Sequence, residues 1–155
     1  MKKVLTVLLT LLALSGHTQS FFDTAVSQPW TGQGTLLGSP ASFHMKWDRV
    51  LQDQFYQLEF KHERSTEEGT ITFEAMGFYR LIDEASFEGT WLDSRGVSLP
   101  LKGAIGADQL TVYWGTDETE RGQTVYTLQA DGAMVVEDHV QKEGKTIPFG
   151  KAVYR

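Results

Sequence analysis

Ser42-Phe43-His44-Met45-Lys46-Trp47 decides how this chain is read: apolar side chains at 43, 45 and 47 alternate with polar ones at 42, 44 and 46. Successive side chains of an extended strand point to opposite faces, so this segment is a strand with one face on a core and one in water. The same period recurs along the chain. Tyr56, Leu58 and Phe60 alternate with Gln57, Glu59 and Lys61, and Ile71, Phe73 and Ala75 with Thr72 and Glu74. Val97, Leu99 and Leu101 share a face, as do Leu110, Val112 and Trp114; Met134, Val136 and Val140 line another strand, and Ile147 to Tyr154 reads as the last.

Turn chemistry separates these runs: Gly38-Ser39-Pro40, Glu67-Glu68-Gly69, Asp83-Glu84-Ala85, Ser94-Arg95-Gly96, Ala107-Asp108, Ala130-Asp131-Gly132 and Glu143-Gly144-Lys145. No stretch of the domain sustains a 3.6-residue apolar repeat. The expected fold is all-β, an antiparallel meander of about ten strands. Closure into a barrel removes exposed sheet edges and leaves room for one small ligand. A flattened sandwich satisfies the same alternation.

Upstream, residues 1–20 have the plan of a secretory signal peptide: basic Lys2-Lys3, an apolar run from Val4 to Leu14 broken only by Thr6 and Thr10, then small and polar residues from Ser15 to Ser20. The run of about 11 residues is shorter than the ~20 a membrane-spanning helix needs. Cleavage after Ser20 leaves about 135 residues, read as an N-terminal arm over 21–29 and one β-domain over 30–155. Phe21 to Gln28 reads equally as a short helix or a loose arm. The expected location is periplasmic or secreted.

The chain has no cysteine, which removes disulfides, thiol catalysis, thiolate metal sites and lipid attachment at the signal junction. A domain of this size buries enough surface to need no such staple. Beyond the signal segment stand twelve basic residues against twenty acidic ones, a net charge of about −8. That balance repels phosphate backbones and argues against nucleic acid as a partner.

Local motifs add a resemblance. Trp30-Thr31-Gly32-Gln33-Gly34 is similar to the opening strand of calycin-like barrels, the group of lipocalins, fatty-acid-binding proteins and nitrobindin-type haem barrels. The blocks Gly77-Phe78-Tyr79-Arg80, Phe87 to Ser94 and Phe149 to Arg155 together resemble a bacterial lipocalin-like family of unknown function. The resemblance implies a calycin-like barrel and no reaction. Nitrobindin-type barrels place an axial histidine on the last strand; Pro148-Phe149-Gly150 stands there in this chain, so haem is not expected, and no other cofactor is.

The expected partner is a small apolar or amphipathic ligand, with Trp47, His62, Arg80, Trp91, Trp114 and Asp138 as candidate ligand-binding residues and no catalytic or metal residues. The tryptophans fill or line the interior. His44 and His139 fall on polar faces, whereas His62 follows Tyr56, Leu58 and Phe60 in phase, at the rim of the interior. No His-x-His or His-Glu-x-x-His spacing marks a metal site. Asp138 is in phase with Met134, Val136 and Val140, so either it enters an apolar space and needs a partner, with Arg80 or Lys151 as candidates, or the strand end leaves the core. Asp93, Ser94 and Arg95 read as a hairpin turn or as head-group contacts at a barrel mouth. Asp117 to Glu120 reads as a solvated loop, lacking the ligand spacing of a calcium site. An enzyme acting at the mouth through Asp138, Arg80 and His62 is a second reading, and an interaction barrel without ligand a third.

Overall fold

A computed structural model describes residues 20–155; the signal-peptide segment falls outside the described residues apart from Ser20. A short helix α1 (Phe21–Ala25) precedes ten strands: β1 (Trp30–Leu36), β2 (Ser39–Val50), β3 (Phe55–Thr66), β4 (Gly69–Leu81), β5 (Ser86–Asp93), β6 (Ser98–Ile105), β7 (Gln109–Trp114), β8 (Gly122–Leu128), β9 (Met134–Lys142) and β10 (Lys145–Tyr154). Each strand pairs antiparallel with its neighbours in sequence, and β1 pairs with β10, so the sheet closes into a ten-stranded barrel. Closure resolves the barrel-or-sandwich ambiguity: Gly32 stands opposite Tyr154 and Leu36 opposite Gly150.

The alternating sequence becomes an alternating wall. Ala41, Phe43, Met45 and Trp47 of β2 are buried, while His44 and Lys46 between them are exposed. Ion pairs lie on the outer face, among them Lys46–Asp48 at 2.7 Å, Lys61–Glu63 at 2.8 Å and Lys151–Glu137 at 2.8 Å. Exposed pairs of this kind contribute little to stability. An apolar inside and charged outside is the reverse of the lipid-facing arrangement of membrane barrels. No described helix is long and apolar enough to cross a membrane.

Several glycines serve close approaches, Gly32 and Gly150 among them. A Cβ on Gly32 would stand 2.7 Å from the Tyr154 ring, so the glycine lets that ring lie across β1. Gly150 does the same for a carboxylate described below.

One barrel end is stoppered by α1. Ser20 and Asp23 cap each other, with the Ser20 N–H donating to Asp23 Oδ2 at 2.9 Å, and the Phe21 N–H donates to the Gly106 carbonyl at 3.0 Å. Arg49 of β2 holds Asp23 at 2.8 Å. The Phe21–Gly106 and Arg49–Asp23 contacts, which do not involve Ser20, aim Phe21 and Phe22 into the barrel, where neither retains any exposure. Phe22 stacks on Tyr56 with ring centroids 4.1 Å apart and packs edge-on to Trp47 at 5.6 Å; Phe21 meets Trp47 at 6.1 Å and Tyr126 at 6.0 Å. Burying each ring is worth roughly 1.5–3 kcal/mol. Of the two readings of Phe21 to Gln28, the structure has the helix, an integral part of the core rather than an arm.

Candidate functional site

Above this aromatic floor the barrel is hollow. A cavity of about 710 Å³ occupies the interior and reaches the end opposite α1, at the β3–β4, β5–β6 and β7–β8 turns. Its wall is largely apolar: Leu36, Phe43, Met45, Phe60, Phe73, Leu99, Leu101, Val112, Val136, Val140 and Phe149. This volume lies within the range of small-molecule sites.

Polar groups are few and placed in three clusters. The first surrounds Asp138 on β9. Thr124, opposite it on β8, donates its hydroxyl to Asp138 Oδ1 at 2.6 Å, and the Trp114 indole N–H lies 3.3 Å from the same Thr124 oxygen. A Cβ on Gly150 would stand 2.8 Å from Asp138 Oδ2, so the glycine makes room for the carboxylate. Burial raises the Asp138 pKa to about 6 against the opposing help of Thr124. Tyr126 and Tyr154 also line this space, and burial pushes both hydroxyls well above the ordinary tyrosine value.

The second cluster is a clasp at the mouth. Arg95, in the β5–β6 turn, donates to Asp93 Oδ2 at 2.7 Å and to Glu120 of the β7–β8 loop, and its guanidinium lies 5.6 Å over the Phe73 ring. Asp93 also accepts the Arg95 backbone N–H at 2.9 Å and the Trp91 indole N–H at 3.2 Å. Burial opposes ionisation of Asp93, but the hydrogen bonds from Arg95 outweigh it and hold its pKa below the ordinary value. Of the two readings of Asp93-Ser94-Arg95, the structure has the hairpin turn, with Ser94 and Arg95 at the mouth and the Arg95 guanidinium engaged by Asp93 and Glu120. The neighbouring acidic loop supplies Glu120 to this clasp, while Asp117 pairs with Arg121.

The third cluster is His62 and Arg64, two residues apart on β3 and both facing the cavity. The His62 imidazole stacks on Phe73 with centroids 5.1 Å apart. Burial lowers its pKa, and the Arg64 charge lowers it further. His62 Nδ1 and Arg64 Nε are both enclosed and have no hydrogen-bond partner among the described residues.

Four of the six candidate residues, His62, Trp91, Trp114 and Asp138, therefore line one cavity. Two do not. Trp47 is buried in the floor beneath, enclosed by Phe21, Phe22, Tyr79 and Tyr126, because α1 seals that end. Arg80 is on the outer face, paired with Glu88 across β4 and β5, because inward Tyr79 precedes it and the strand alternates. The expected partners of Asp138 need the same correction: neither Arg80 nor Lys151 reaches it, since both are engaged outside with Glu88 and Glu137, and Thr124 bonds it instead. An enzyme built on Asp138, Arg80 and His62 fails on the same ground. The residues sequence reasoning missed are Arg64, Thr124, Tyr126, Tyr154 and Glu120. Arg64 was within reach, since it continues the phase of His62 by one further step.

The fold and cavity define an all-β protein: a closed ten-stranded antiparallel barrel with a stoppered floor and a clasped mouth, compatible with the calycin-like layout. No family model and no curated protein sequence matches the chain.

Proposed function

We propose that this is an exported, lipocalin-like carrier that holds one small apolar or amphipathic molecule inside its barrel. The observation that carries the reading is the hollow interior of about 710 Å³, apolar over most of its wall with isolated polar anchors. A protein that needed only stability would fill this space, because void costs dispersion contacts and burial. The order of residues 1–20, basic then apolar then small and polar, supports export. The motifs quoted from Trp30, Gly77 and Phe149 onward support the lipocalin-like assignment.

The test is a titration with N-phenyl-1-naphthylamine, a neutral fluorophore that brightens in apolar surroundings. Saturable 1:1 brightening is expected, with quenching of tryptophan emission as the dye reaches Trp91 and Trp114. Absence of saturable binding of this dye and of a series of straight-chain amphiphiles would sink the reading.

A further inference from the structure

Of the two arginines on the cavity, one is satisfied and the other is not. Arg95 holds both Asp93 and Glu120. Among the described residues no carboxylate stands within ion-pair distance of Arg64. The carboxylates that share its cavity are committed elsewhere: Glu120 to Arg95, Asp138 to Thr124. Arg64 Nε is enclosed with no acceptor, and so is Nδ1 of His62 on the same face. An enclosed guanidinium donor left without an acceptor costs free energy that a bound anion would recover.

Resting on the carrier reading above, we infer that Arg64 with His62 is the head-group seat for a monoanionic amphiphile, an aliphatic carboxylate whose tail lies along Phe43, Phe60 and the apolar wall beyond. Carboxylate is the fitting chemistry because a guanidinium presents parallel N–H donors that match its two oxygens. Single charge is set by the surroundings. Arg64 supplies one positive charge with no carboxylate of the described residues in ion-pair reach, His62 is held neutral by burial and by Arg64, and a dianion would leave a negative charge unpaired in an apolar space that already holds the Asp138 carboxylate. His62 then completes the seat with one neutral hydrogen bond.

The experiment compares dodecanoate, dodecanol and dodecyltrimethylammonium, each below its micellar concentration, by displacement of N-phenyl-1-naphthylamine at pH 7.5. Arg64→Met is expected to weaken dodecanoate about ten- to hundredfold, the loss of a charge-assisted pair, and to leave dodecanol almost unchanged. Arg64→Lys keeps the charge without the paired donors and is expected to fall between. In the unaltered protein, the Arg64 Nε–H proton resonance is expected to move downfield with dodecanoate and to stay with dodecanol, a readout that needs no variant to fold. The assignment is overturned, with the carrier reading intact, if dodecanol binds but Arg64→Met leaves dodecanoate unaffected or weakens both alike, or if dodecyltrimethylammonium binds more tightly than dodecanoate. If none of the three binds, the carrier reading and the assignment fall together.

Discussion

The Thr124 hydroxyl and the Asp138 carboxylate meet at 2.6 Å across β8 and β9, facing an apolar cavity in which no cation of the described residues pairs with the carboxylate. One hydroxyl does not replace the water that Asp138 loses, so its pKa is raised to about 6 from 3.8. The sign of the consequence follows. Below pH 3.8 the group is protonated in both folded and unfolded chains and carries no penalty. As pH rises toward 6 the unfolded chain releases its proton and the folded one retains it, so stability falls. Above that the penalty is constant, at most on the order of 3 kcal/mol. Asp138→Asn keeps an acceptor for Thr124 and cannot ionise. Its stability relative to the unaltered protein should rise between pH 4 and pH 7.5, measured by urea unfolding at both. A difference that does not change with pH would show that Asp138 titrates normally.

The mouth clasp separates a buried partner from an exposed one. The Asp93 side chain has 0% exposure and the Glu120 side chain 42%. Removing Glu120 breaks a screened surface pair, and Glu120→Ala should cost less than about 1 kcal/mol. Asp93→Ala strands the Arg95 backbone N–H and the Trp91 indole together, and should cost about 1–3 kcal/mol. Denaturant unfolding of both variants checks the contrast; equal losses would contradict it. Because the clasp spans the opening, Glu120→Ala should also speed both entry and release of N-phenyl-1-naphthylamine in stopped flow.

Those clusters show where the sequence was legible. Alternation in β2 and β3 placed Phe43 and His62 on the inner face, because strand phase is local; in β9 the same phase left open whether the strand end at Asp138 stays with the core, and the structure has it on the cavity. Whether the sheet closes depends on Gly32 meeting Tyr154 from the far end of the chain. No local pattern encodes that pairing, and a sandwich satisfied the same phases. The partner of Asp138 was out of reach for a related reason. Thr124 is a neutral residue made relevant only by the β8–β9 register, whereas charge alone points to Arg80 and Lys151. Arg80 was misread against its own phase: the inward face of β4 runs through Phe73, Ala75 and Tyr79, which puts residue 80 outside. Trp47 has the right phase but the wrong depth, since only the docking of α1 shows which end is sealed.

A hollow barrel tolerates what a packed one does not. Val112 is 2% exposed and lines the cavity from β7. Enlarging such a residue in a filled core costs about 1–3 kcal/mol through forced rearrangement. Here the added ring has open volume ahead of it. Val112→Phe should therefore unfold within about 1 kcal/mol of the unaltered protein, since filling space restores dispersion contacts, while its capacity for N-phenyl-1-naphthylamine falls sharply. Thermal unfolding and a dye titration check both halves. A large destabilisation would mean the interior is filled in solution.

The helix makes the opposite demand. Phe22 has no exposure and touches Tyr56, Trp47 and Tyr79, residues of three different strands. Truncating it removes the ring and leaves a void that the closed sheet cannot collapse around, because every strand is hydrogen-bonded on both sides. Phe22→Ala should cost about 3–5 kcal/mol, the range for a buried phenylalanine. The effect extends past stability. Trp47 is 1% exposed and α1 supplies two of the four rings packed around it, so loosening the stopper admits water from below and should shift tryptophan emission to the red before global unfolding. Phe21→Ala, which leaves the Phe22–Tyr56 stack in place, should shift emission less. If α1 were a loose arm in solution, neither substitution would move stability or emission, and the barrel would bind dye as well without residues 21–29 as with them.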